Sequence, residues 1–190
     1  MNRQDIVLGR RISVRGVTGS GKSTLARALG EALGLKVIEL DAINWQRPGW
    51  DQLSTEEFRA QVTEAIASAP DGWVIEGNYS AVADIYLAQI DTMVWLHLPW
   101  RTSFSRMVRR TLQRARKKEL LWGAQHESLK TQLFSRKNSL WWWGIHHHNT
   151  SVRNTRRLFE SMQHIRTYEL RSTSDVRELV EAAKRPTASA

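Results

Sequence analysis

The nine residues GVTGSGKST at positions 16–24 constrain this chain more than any other stretch. They satisfy the pattern G-x-x-x-x-G-K-[ST] through Gly16, Gly21, Lys22 and Ser23. Before them stands RISVRG, β-branched and ending in glycine, which predicts a strand. After them KSTLARALGEAL places Leu25, Ala28, Leu29, Ala32 and Leu33 at helical spacing. A strand, a glycine loop and a helix in this order turn main-chain N–H groups inward, with the positive end of the helix dipole behind them. Such a cradle holds a phosphate chain: Gly16, Thr18, Gly19, Ser20 and Gly21 supply backbone, Lys22 reaches the β/γ-phosphates, Ser23 ligates Mg²⁺ and Thr24 bonds the α-phosphate. ATP with Mg²⁺ is the expected donor.

The rest of the chain repeats the alternation. GLKVIELD reads as a second strand and GWVIEGN as a third; DTMVWLHLP and HIRTYELRS give a fourth and fifth. Between them STEEFRAQVTEAIASA reads as a helix, with Ser54 as N-cap and Glu57 closing a capping box, and SDVRELVEAAK reads as the last helix. Strands alternating with helices imply an α/β, doubly wound fold with a parallel sheet covered on both faces. One domain over 1–184 is expected, with a lid over about 101–150 and a frayed tail at 185–190.

Composition removes several chemistries. With no cysteine there is no disulfide, thiolate zinc site or thiol nucleophile. The absence of a signal-peptide h-region and of any apolar run of about 18 residues predicts a cytoplasmic protein. No N-K-x-D base-reading motif supports a GTPase, and the length leaves no room for the extra subdomains of motor ATPases. Small phosphotransferases remain.

Acidic and basic residues then take sides. With IELD read as the end of strand two, Glu39 and Asp41 share one side of the pleat at the carboxyl edge, where parallel sheets bind ligands. Asp41 there holds an acceptor hydroxyl or a water on Mg²⁺, or serves as an N-cap. Glu76 ends the third strand beside the cradle and suits Mg²⁺ through water, with Gly77 permitting close approach. Charge is local: residues 101–171 carry 16 Lys/Arg against 4 Asp/Glu. Arg106, Arg110 and Arg114 repeat every four residues, with Arg109 alongside, and such a stripe is relieved by an anion such as a transferring phosphoryl group. A small-molecule acceptor is the expected partner. A nucleotide-responsive regulator that contacts DNA or RNA through this basic region ranks second.

SLWWWGIHHHNT at 139–150 asks for caution. Adjacent histidines point about 100° apart on a helix, so His146 to His148 do not converge on one ion. Trp141 to Trp143 read as lid packing ahead of base stacking.

The pattern as a whole resembles the P-loop nucleoside-monophosphate-kinase superfamily, and within it the adenylate-kinase-like group labelled DNA topology modulation proteins. The resemblance rests on RISVRGVTGSGKSTLARALGEALG, IELDAINW, GWVIEGNYS, DTMVWLHLP, RMVRRTLQR, ELLWGAQHESL and YELRSTSDV, with LDAINW and EGNY the discriminating strings. It implies a five-stranded parallel sheet in the order 2-3-1-4-5, ATP with Mg²⁺ as donor, a mobile arginine-rich lid, and a donor base near Arg153, Arg156 and LRSTSD; the residue patterns above make Lys22, Asp41, Arg106 and Arg110 the expected catalytic residues. The chain departs from it twice. Glu76 to Ser80, EGNYS, lacks the arginine that grips AMP in adenylate kinases, which argues against AMP as acceptor. Where relatives read L-D-L-P-R this chain has Leu96, His97, Leu98, Pro99 and Trp100, so the acidic duty falls to Asp41 or Glu76.

Overall fold

A computed structural model describes residues 6–47, 51–117, 120–121, 125–126 and 140–185, and the side chains of these except at 114–147. Seven strands and seven α-helices are described: β1 (Arg11–Gly16), α1 (Lys22–Leu33), β2 (Lys36–Glu39), α2 (Leu40–Asn44), α3 (Thr55–Ala67), β3 (Trp73–Glu76), α4 (Ala83–Leu87), β4 (Thr92–Leu96), α5 (Trp100–Lys117), β5 (Leu120–Leu121), β6 (Gln125–His126), α6 (Leu140–Ser161), β7 (Arg166–Leu170) and α7 (Thr173–Ala183). Five strands form one sheet in the order β2-β3-β1-β4-β7. Every pairing in it is parallel, and the expected order 2-3-1-4-5 is met when its strands are numbered along the chain. β5 and β6 pair separately as an antiparallel hairpin.

Alternation along the central strands sorts side chains between two cores. Ile12, Val14, Val74, Val94 and Leu96 face α1 and α7, where Leu25, Leu29 and Leu179 meet them. Trp73, Ile75 and Met93 face the other layer and pack with Phe58 and Val62 of α3 and Tyr86 of α4. Leu29 is fully buried in the first core, and truncating it to alanine would cost about 3 kcal/mol, the usual toll of a cavity in a packed interior.

Local chemistry sets the boundaries. α3 begins with the predicted capping box: Ser54 accepts from the Glu57 amide while the Glu57 carboxylate accepts from the Ser54 amide. A second box at Ser172 and Asp175 starts α7. One expectation fails here. The second strand stops at Glu39, which becomes the N-cap of α2, and Asp41 lies in that helix's first turn. The turn is drawn inward by Leu40, which is fully buried in the second core. Glu39 and Asp41 therefore do not share a pleat face. Glu39 pairs with Arg27 at 2.6 Å, and Asp41 accepts from Tyr79.

Among the described residues no helix is long and apolar enough to cross a membrane.

Candidate active site

The loop between β1 and α1 is held from three directions. Within it, the Ser20 amide donates to the Val17 carbonyl at 3.1 Å and Lys22 Nζ to the same oxygen at 3.3 Å. From β3's exit, Asn78 Nδ2 donates to the Gly16 carbonyl at 2.7 Å, and from α5 Arg106 donates to the Ser20 carbonyl at 3.2 Å. Gly19 adopts φ +77°, and a Cβ there would stand 2.3 Å from the Ser103 carbonyl oxygen, so α5 packs on the loop only because the side chain is absent. α1 opens at Gly21 with no side-chain cap and no acid in its first turn. Its free amides and dipole end are left to an anion.

Next to the loop, Ser23 Oγ donates to Glu76 Oε1 at 2.9 Å. Glu76 is buried, and its second oxygen, Oε2, has no hydrogen-bond partner. Burial raises the Glu76 pKa above the ordinary carboxylate value; Lys22 opposes this, Asp41 adds to it, and the Ser23 hydrogen bond opposes it. Four predicted residues, Lys22, Ser23, Asp41 and Glu76, are thus in one electrostatic neighbourhood.

Asp41 is positioned by a residue that sequence reasoning passed over. Tyr79 OH donates to Asp41 Oδ1 at 2.6 Å and accepts from Trp45 Nε1 at 3.0 Å. Burial and the adjacent carboxylate push the phenol far above its usual range, so it stays a donor. Its ring packs edge-on to Phe58 at 5.2 Å. The spacing from Glu76 to Tyr79 carried no signal of this, because the contact spans 38 residues.

The arginines divide. Arg106 faces the loop, Arg110 is half-buried on α5, and Arg114 lies outside the described side chains. Arg156 sits over the Trp95 ring at 5.3 Å. Arg153 is exposed and is not among the side chains lining the cavity that Arg156 lines. That cavity, about 480 Å³, is lined by His97, Leu98, Pro99, Trp100, His148, Arg156 and Arg171, within the size range of small-ligand sites. The histidine triplet falls on α6, where His148 packs on Trp100 at 4.6 Å. His146, His147 and Trp141 to Trp143 lie outside the described side chains.

A model of the shikimate kinase family matches residues 18–167, most of the chain, including Lys22, Ser23, Asp41 and Glu76. The chain belongs to the shikimate kinase family. This kinase is also similar in structure to a gluconokinase from Sinorhizobium meliloti 1021, at 20% identity and a TM-score of 0.50 over 92% of this chain and 89% of that one. A sugar kinase from Janibacter sp. HTCC2649 aligns at 19% identity and a TM-score of 0.49, over 92% and 90% of the two chains. The first likeness shows the shared P-loop kinase fold. No curated protein sequence matches this kinase.

Proposed function

We propose that this kinase transfers the γ-phosphoryl group of ATP to a hydroxyl of a small acceptor bound between α3 and the α5–α6 region. The observation that carries the reading is the Ser23–Glu76 hydrogen bond, with Lys22 and Asp41 close enough to shift the same carboxyl. Gly16, Thr18, Gly19, Ser20, Gly21 and Thr24 line the phosphate cradle, and Lys22 neutralises the charge that builds on the β/γ oxygens.

The site also fits Mg²⁺. Ser23 Oγ, half-buried, and the buried, orphaned Oε2 of Glu76 are hard oxygen donors, and among the described residues no three acids or histidines converge to form a protein-only cage. Mg²⁺ keeps several waters and prefers one or two protein oxygens beside substrate phosphates. Ser23 would hold it, with Glu76 and Asp41 acting through water. Bound there, Mg²⁺ would supply positive charge against the terminal phosphates.

Asp41 accepts the acceptor's proton as the new oxygen–phosphorus bond forms and the bridging β–γ bond breaks, leaving ADP. Tyr79 fixes the Asp41 carboxylate for that task. Arg106 and Arg110 face the transferring group, and closure of the 101–150 lid excludes water. The donor base occupies the cavity between His97, Trp100 and Arg156; Trp100 and the Trp95-backed edge offer ring surfaces for stacking. LDAINW and EGNYS support placement in the adenylate-kinase-like group labelled DNA topology modulation proteins.

The test is a screen of shikimate, sugars, nucleosides and nucleoside monophosphates for ATP consumption with Mg²⁺, with Lys22→Ala as background. Transfer that depends on Lys22 is expected; transfer undiminished in the variant would refute the assignment.

A further inference from the structure

His97 occupies a position that no phosphate chemistry explains. Its ring stacks on Trp95 with centroids 4.3 Å apart and planes 6° apart, so its plane is set by a fully packed residue near the end of β4. Its Nδ1 lies 2.6 Å from Glu169 Oε1 on β7. Burial alone would raise the Glu169 pKa, but hydrogen bonds from Arg171 and His97 outweigh it and hold the carboxyl below its ordinary value. Glu169 is therefore a charged acceptor at neutral pH, and an acceptor opposite Nδ1 requires the ring proton to sit on Nδ1.

His97 lines the cavity, and with Nδ1 taken by Glu169, Nε2 is the ring nitrogen left to meet a ligand there. No described residue hydrogen-bonds it. In the neutral ring Nε2 is a bare acceptor; in the imidazolium it is a donor. Among the described residues, the groups facing His97 are Glu169 and Arg171 from β7 and its exit, Trp95 from β4, Trp100 from α5, and His148 and Arg156 from α6. His148 sits near enough that His97 adds to the burial that lowers the His148 pKa.

We propose that His97 reads the base of the nucleotide donor, and that its protonation state sets which base is preferred. The proposal rests on the assignment of this cavity to the donor base. With His97 neutral, Nε2 accepts from an exocyclic amino group, as adenine carries, and leaves a guanine carbonyl facing a lone pair. With His97 protonated, Nε2–H donates to the guanine carbonyl and faces the adenine amino group unfavourably. Glu169, through Nδ1, keeps the ring from presenting the opposite tautomer.

The experiment measures dissociation constants of ATP and GTP with Mg²⁺ from about pH 5.5 to about pH 8. Titration of the triphosphate is common to both nucleotides and cancels in their ratio. The preference for ATP over GTP is expected to rise about tenfold across the window, the discrimination of one matched against one mismatched hydrogen bond. In His97→Phe, which keeps the stack on Trp95, the ratio becomes independent of pH. In His148→Phe the slope persists, which assigns it to His97. A flat ratio in the unaltered protein with both nucleotides bound, or a slope that survives in His97→Phe, overturns the proposal. Failure of the unaltered protein to bind either nucleotide at any pH overturns the donor-site reading, and this proposal with it.

Discussion

Ser23 on the first turn of α1 donates to Glu76 at the end of β3 across 2.9 Å, although 53 residues separate them. The bond spans the boundary between the phosphate loop and the neighbouring strand. It ties the orientation of the loop to a buried carboxyl that keeps one oxygen unpartnered.

Replacing Glu76 by glutamine is the sharpest probe of that carboxyl. Its folded-state pKa lies above the ordinary 4.5 because burial disfavours the charge, so the folded chain holds the proton more tightly than the unfolded one. Stability is then lost as pH rises from the unfolded value through the folded value. Glu76→Gln removes this loss. Urea unfolding without Mg²⁺ should show the variant more stable than the parent at about pH 7, the difference vanishing near pH ~4, while phosphoryl transfer falls by about a hundredfold. A variant less stable than its parent at neutral pH would contradict the account.

Tyr79→Phe deletes the donor to Asp41 and the acceptor for Trp45 while keeping the ring packed on Phe58. Stability should fall by about 1 kcal/mol. Turnover should drop by about tenfold with KM for ATP unchanged, because Asp41 is mispositioned on the acceptor side only. Steady-state kinetics with each substrate varied in turn checks the split.

Gly19→Ala places a methyl against the Ser103 carbonyl and forces an L-residue into φ +77°. The cost falls on the loop and its seat against α5, roughly 1–3 kcal/mol. Nucleotide affinity should decline more than global stability, and calorimetric titration beside thermal melting separates the two.

Arg15 carries a different kind of tension. It is buried on β1, its NH1 donates to Tyr86 OH at 2.9 Å, and its Nε has no hydrogen-bond partner. Removing the phenol oxygen with Tyr86→Phe should cost about 2 kcal/mol, since it strips a buried cation of its acceptor. Arg15→Met in the same background should recover most of that loss, because an apolar chain of similar length needs no partner. Denaturant titration of both variants and of the pair forms the test; additive losses would argue that Arg15 is solvated by other means.

Much of this protein was already fixed by local pattern. The run RISVRG, the loop GVTGSGKST and the helix after it appear within the predicted limits, because strand propensity, glycine chemistry and helical spacing each act over a few residues. The Ser54–Glu57 box is equally local. From these the alternating strands and helices, the parallel sheet and the phosphate cradle follow. Tertiary structure decided what depends on contacts far apart in the chain. IELDAIN leaves its strand at Glu39 rather than Asp41 because Leu40 finds a buried seat beneath Gly77. Asp41 meets Tyr79, and His97 turns to Glu169 and not to the metal side, through pairings 38 and 72 residues apart. Burial and long-range hydrogen bonds chose those partners, and neither has a period that a sequence displays.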